Sequence, residues 1–108
     1  MTVTELLKAA ELSAVVLPDP DREIEGAYCG DLLSWVMGRA SSGNLWITIM
    51  SNVNILAVAS LADLSCILLA EGVSPDESVA ETAKQKGINI LSSDKSSFEL
   101  ATVIGKLI

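Results

Sequence analysis

The sequence predicts one α/β domain: a layered sandwich in which helices pack on a mostly parallel sheet of about five strands. Three observations lead there. Short apolar runs of strand length alternate with stretches whose apolar residues recur at helical spacing. Two of the runs, Asn44 to Met50 and Leu64 to Ala70, are almost continuously apolar, as strands covered on both faces must be. From the third strand onward the links between elements are short, which suits right-handed crossovers between parallel neighbours.

Taken in order, Thr2-Val3-Thr4-Glu5 has the form of a capping box, so a helix should run to about Glu11 with Leu6, Leu7 and Ala10 inward. Ser13 to Leu17 reads as a short strand, ended by Pro18 and Pro20, which have no N–H to give a ladder. Ile24 to Cys29 is the second strand, and it runs through Gly30 into a helix from Asp31 to Arg39. Gly30 is expected to take backbone angles closed to other residues, and Asp31 to cap the helix. Leu32, Leu33, Val36, Met37 and Ala40 would form its inner face, leaving Trp35, Gly38 and Arg39 away from it.

After the loop Ala40–Gly43 comes the third strand, and Ser51-Asn52 then caps a third helix from Val53 to about Ala62. Leu64 to Ala70 is the fourth strand, ended by Gly72. Ser74-Pro75-Asp76-Glu77 is a helix start, with a capping serine, proline at the first helical position and acids in the first turn; Lys84, Lys86 and Gly87 supply the stop. Ile88 to Leu91 is the fifth strand, Ser92-Ser93-Asp94 the turn, and Ser96-Ser97-Phe98-Glu99 a second capping box for a closing helix to Leu107.

Composition narrows the classes of function. The 108 residues make one domain, half of them hydrophobic and only 4% aromatic, so the core should be aliphatic. Fourteen acids against seven bases leave a formal charge of −7, which repels nucleic acid and anionic membrane surfaces. With no histidine, and with Cys29 and Cys66 far apart inside apolar runs, neither a metal site nor a cofactor is expected. The two cysteines read as core thiols in a reducing compartment, the cytoplasm. Met1 to Glu5 has neither the basic patch nor the apolar core of a signal peptide. Val53 to Ala70 is long and apolar, but Asp63 divides it into two buried elements rather than one membrane span.

In parallel sheets ligands collect beyond the carboxyl ends of the strands. That rim should hold Gly30, Asp31, Ser51, Asn52, Asn54, Glu71, Gly72, Ser92, Ser93 and Asp94. Helix capping accounts for most of these residue types, and a small phosphorylated or nucleotide ligand at the helix starts is the functional alternative. Catalytic residues are not assigned. A small hydrolytic or phosphate-handling enzyme would have to work through Asp31, Glu71 and Asp94, but their spacing supplies no neighbour to shift a carboxylate. Phosphoryl transfer through a P-loop is excluded, because the one Gly-Lys pair, Gly105-Lys106, is followed by Leu107.

Asp19, Asp21, Glu23 and Glu25 alternate, and a solvated edge explains them better than a cation site. Arg22 should pair with one of those acids or with a helix C-terminus, a phosphate contact being the alternative. The third helix is apolar nearly all round, which on a small domain calls for cover from outside. Ile55, Val58 and Ala59, together with Trp35 and Gly38, are therefore the expected surface of a homodimer.

The segment Ile24 to Ala40, followed by Trp46-Ile47-Thr48-Ile49 and Val53-Asn54-Ile55-Leu56-Ala57-Val58-Ala59, resembles the stand-alone form of the DRTGG domain. The likeness spans nearly the whole chain, so residues 1–108 are expected to form one such domain. The family is similar to the N-terminal domain of HPr kinase/phosphorylase and is found in phosphotransacetylases and in pyrophosphatases with CBS domains. The resemblance implies a regulatory or dimerising module with no chemistry of its own, docking on a partner enzyme or acting alone. The family's Asp-Arg after the third strand is replaced here by Ser51-Asn52, and its Thr-Gly-Gly after the fourth by Ala70-Glu71-Gly72. Only Gly72 survives, which puts in question any ligand that depends on the Asp-Arg pair.

Overall fold

A computed structural model describes residues 1–108. Five strands, β1 (Ser13–Val16), β2 (Ala27–Cys29), β3 (Leu45–Thr48), β4 (Cys66–Leu69) and β5 (Ile90–Ser92), form one sheet in the order β1-β5-β4-β3-β2. β2, β3, β4 and β5 are parallel, and β1 runs antiparallel on the outer side of β5. The helices are α1 (Val3–Ala9), α2 (Leu33–Arg39), α3 (Asn54–Leu61), α4 (Glu77–Lys86) and α5 (Ser97–Leu107).

Because β2 to β5 are laid down side by side in chain order, three crossovers of one hand put α2, α3 and α4 on the same face. Their core joins Val36, Ile55, Leu56, Val58, Ala59, Val79 and Ala83 to Trp46, Ile67, Leu69 and Ile90 of the sheet. The opposite face packs Val3, Leu6 and Ala10 of the α1 region and Leu100 and Ile104 of α5 on Leu45, Ile47, Cys66, Leu68 and Leu91. The domain is thus an α/β sandwich of three layers. All four residues of β3 and of β4 are buried, which is why both strands read as unbroken apolar runs.

Both capping boxes form: Thr2 with Glu5 at α1, and Ser96 with Glu99 at α5. Gly87 ends α4 in left-handed backbone at φ 74. Other boundaries shift. α1 stops at Ala9, and Glu11 then takes a positive φ. β2 loses Ile24, Glu25 and Gly26; Glu23 just before them makes an isolated bridge to Thr2, and the acids Asp19, Asp21, Glu23 and Glu25 lie in the β1–β2 connection. The N-cap of α4 is Asp76, not Ser74, so Pro75 precedes the helix instead of opening it.

The largest revision concerns α2. It begins at Leu33, and Val36 is its one fully buried residue; Leu32 and Met37 are 57% and 38% exposed. Resting over a three-residue edge strand, the helix has little sheet to cover and presents a narrow inner row. Gly30 is not among the residues with positive φ. What its missing side chain does provide is room, since a Cβ there would stand 3.1 Å from the Tyr28 ring.

Four buried polar residues, Asn44, Thr48, Ser65 and Asn89, join the layers. Asn89 Nδ2 donates to the carbonyls of Asp19 and Ser65, and its Oδ1 accepts from Asp19 N–H, which pins the β1–β2 connection to the sheet. Ser65 Oγ lies within hydrogen-bond reach of the carbonyls of Glu23 and Gly43, which share its one proton. No helix is long and apolar enough to cross a membrane.

Candidate functional site

The parallel strands end along one rim, and that rim divides into two halves. The half beyond β2 and β3 is closed by its own hydrogen bonds. Trp46 Nε1 donates to the Gly30 carbonyl at 2.8 Å, and Gly30 N–H donates to Ile47 O. Asp31 does not cap α2, whose N-cap is Leu32 with no side-chain bond. Its Oδ1 instead accepts from Thr48 Oγ1 at 2.8 Å and from Ile49 N–H at 2.9 Å, bracing the end of β3. Asn52 Oδ1 accepts from Asn54 N–H at 2.9 Å in the turn that enters α3. Gly30, Asp31, Asn52 and Asn54 thus hold the turns in place, and no cleft opens among them.

The other half is open. Gly72, Ser92 and Asp94 line a cleft of about 80 Å³ together with Ser13, Val73, Ser74 and Ser93. Ser13 arrives because antiparallel β1 starts where β5 ends, with Ser13 opposite Ser92. Gly72 and Ser93 are joined by the bond from Gly72 N–H to Ser93 O, and Ser93 N–H in turn donates to Leu69 O. Asp94 Oδ1 lies 3.2 Å from where a Gly72 Cβ would be. Glu71 stands beside the cleft without lining it, and its Oε2 accepts from Ser97 N–H at 3.4 Å at the start of α5. Its backbone is left-handed at φ 62, a conformation that favours glycine.

Ser13, Val73 and Ser74 are absent from the residues expected on the rim. Ser13 is found only through the strand order, which alternation along the chain does not encode. Ser74 has the residue type of a cap for α4, but the later start of that helix leaves it beside the cleft.

The surface expected to meet a partner also changes. Ile55, Val58 and Ala59 are 0%, 7% and 2% exposed, packed on the sheet within this one chain, which corrects their placement on an open face. The open side of α3 and its flanks is instead Val53 and Leu61, 55% and 74% exposed. On neighbouring α2, Trp35 is 51% exposed with the Arg39 guanidinium 3.7 Å from its ring centroid. Apart from adjacent residues and the helix's own backbone, no atom lies within 4 Å of where a Gly38 Cβ would stand, so this part of α2 is open.

The titrating groups with displaced pKa values lie apart from the cleft. The Ser42 hydroxyl and the Arg22 guanidinium hold the Asp63 carboxyl below its ordinary value. Arg22 Nη2 also donates to the Asp63 carbonyl just after α3, the helix-terminal role expected for it. Burial pushes the Cys66 thiol up to about 12. Cys29, expected in the core, is exposed; partial burial and then the Asp31 charge raise its pKa. No three His, Cys, Asp or Glu side chains are grouped to hold a metal ion.

Comparison with known proteins places this architecture. Its fold is similar to that of the CBS and DRTGG domains of the regulatory region of Clostridium perfringens pyrophosphatase, solved in complex with the activator diadenosine tetraphosphate. The two share 17% identity at a TM-score of 0.69, and the match covers 92% of this chain and 44% of that one. This chain therefore spans under half of that neighbour's length, and at such identity the likeness is one of fold. No curated protein matches. Residues 5–107 match the DRTGG domain. The chain belongs to the DRTGG domain family.

Proposed function

We propose that this domain is a non-catalytic regulatory module that assembles as a homodimer and responds to a small phosphorylated or nucleotide ligand. The observation that carries the reading is the outer face of α2 and α3. From Leu32 to Ala62 the chain has no carboxylate and a single charge, Arg39, while all fourteen acids lie elsewhere. Leu32, Trp35, Met37, Val53 and Leu61 are exposed in that stretch. Two chains of charge −7 repel one another over most orientations, and this largely apolar face without a carboxylate is where a second copy can approach. A regulatory role is supported by the family and by the fold neighbour, which belongs to a regulatory region and holds a nucleotide activator. The cleft lined by Gly72, Ser92 and Asp94 is the place offered to a ligand. Docking on a partner enzyme through the α2–α3 face is the other form of the same reading, and it would leave the isolated chain monomeric. A hydrolytic role through Asp31, Glu71 and Asp94 has less support, since the first two are engaged with backbone groups of the fold.

The test is Leu61→Asp. Leu61 is 74% exposed, so the variant should fold with a melting temperature close to that of the unaltered chain. Fully burying a leucine contributes about 2 kcal/mol, and a two-fold interface uses the residue twice, so a loss of about 4 kcal/mol should weaken the dimer by roughly 1,000-fold. Light scattering that shows equal association for the variant and the unaltered chain would remove this face from the interface. For the ligand, a rise in melting temperature with a nucleotide is expected, because binding to the folded state stabilises it. No shift with any nucleotide or phosphorylated metabolite would remove the sensing part of the proposal.

A further inference from the structure

The geometry points to the rim cleft as a site for a neutral vicinal diol, such as the ring hydroxyls of a ribosyl group, with any phosphate held outside it. The inference rests on the ligand-sensing reading above and specifies which part of the ligand enters. Four serines, Ser13, Ser74, Ser92 and Ser93, line the cleft beside one carboxylate, Asp94, and no lysine or arginine does. The hydroxyls of Ser13, Ser74 and Ser92 make no hydrogen bond within the chain, nor do the amide groups of Ser74 and Asp94. Ser93 Oγ accepts from Lys95 N–H and keeps its proton to donate. The Asp94 carboxylate likewise has no hydrogen-bond or ion-pair partner.

These groups decide between two ligand chemistries. An ionised carboxylate only accepts, so it suits two adjacent hydroxyls donating to its two oxygens, and the serines can complete the remaining donor and acceptor sites. A phosphate brings only acceptors and negative charge, and beside an unpaired Asp94 with no cation in the lining it is repelled. Size agrees. A cleft of about 80 Å³ has the space of about three liquid waters, enough for the edge of one sugar ring, whereas drug-sized ligands occupy roughly 300 Å³ or more. The bare Cα of Gly72 lets the carboxylate sit against the backbone, where a Cβ would stand 3.2 Å from Oδ1.

The experiment is calorimetric titration of the full chain with adenosine, its dideoxy analogue lacking both ring hydroxyls, D-ribose and inorganic phosphate. Adenosine is expected to bind at least tenfold more tightly than the dideoxy analogue. Ribose should compete with adenosine, and phosphate should not. Asp94→Ala, which removes no hydrogen bond of the fold, and Ser92→Ala should each melt near the unaltered chain and lose most of the adenosine signal. Equal binding of the dideoxy analogue, competition by phosphate, or no binding by any of the four overturns the assignment. Adenosine and its dideoxy analogue binding with equal affinity would sink the diol assignment and leave ligand sensing standing.

Discussion

Replacing Asp31 with alanine removes a carboxylate that the fold uses, and the loss can be worked from two distances. Oδ1 accepts from Thr48 Oγ1 at 2.8 Å and from Ile49 N–H at 2.9 Å. Hydrogen bonds to a charged acceptor contribute about 1.5–3 kcal/mol each. Asp31 is exposed and one oxygen serves both donors, so about 2 kcal/mol for the pair is the reasoned figure. In a domain of this size that lowers the melting temperature by about 8–16 °C, and the urea midpoint by roughly 1–2 M. Thr48 is buried, so its hydroxyl loses an acceptor that water cannot easily replace. Urea unfolding of Asp31→Ala, Thr48→Val and the double variant should give a coupling of about 1 kcal/mol. Unchanged midpoints would refute the bracing role. Unchanged stability with a lost ligand response would make Asp31 a ligand group after all.

Three further outcomes follow from local chemistry. Glu71→Gly relieves a left-handed backbone at φ 62 while giving up a long 3.4 Å contact to α5, so it should stabilise the domain by about 0.5 kcal/mol; a lower melting temperature would mean that the contact outweighs the strain. The Asp63 carboxyl titrates below its ordinary 3.8, so its stabilising effect is complete above that value and fades as the pH falls through the lower folded value. The stability gap between the unaltered chain and Asp63→Asn, read from urea midpoints, should therefore close at acid pH; a constant gap would contradict the pairing with Ser42 and Arg22. In thiol titration at neutral pH the folded chain should react slowly and only at Cys29, with Cys66 appearing on unfolding, because burial holds Cys66 near 12. Two reactive thiols in the folded chain would show that the sheet opens.

Much of the fold was legible because local chemistry specifies it. The capping boxes at Thr2 and Ser96, the glycine stop at Gly87 and the unbroken apolar runs of β3 and β4 all act within a few residues of themselves. What depended on distant partners was not. Ile55, Val58 and Ala59 look surplus on a helix that is apolar nearly all round, yet the sheet covers them, and the uncovered residues are Val53 and Leu61. Asp31 has the residue type of a cap, but Thr48 and Ile49 reach it from across the sheet. Likewise the sequence presents the rim as a set of strand ends. Which of them surround a cleft depended on β1 joining β5 in reverse, and that brought Ser13 beside Ser92.

The account rests most on the carboxylate-free face of α2 and α3 being covered by a second copy of the chain. Sedimentation equilibrium of the unaltered protein at micromolar concentration tests this most directly. The account predicts twice the mass of one chain, reverting to a single mass with Leu61→Asp. A single-chain mass for the unaltered protein, constant as concentration rises, would contradict it.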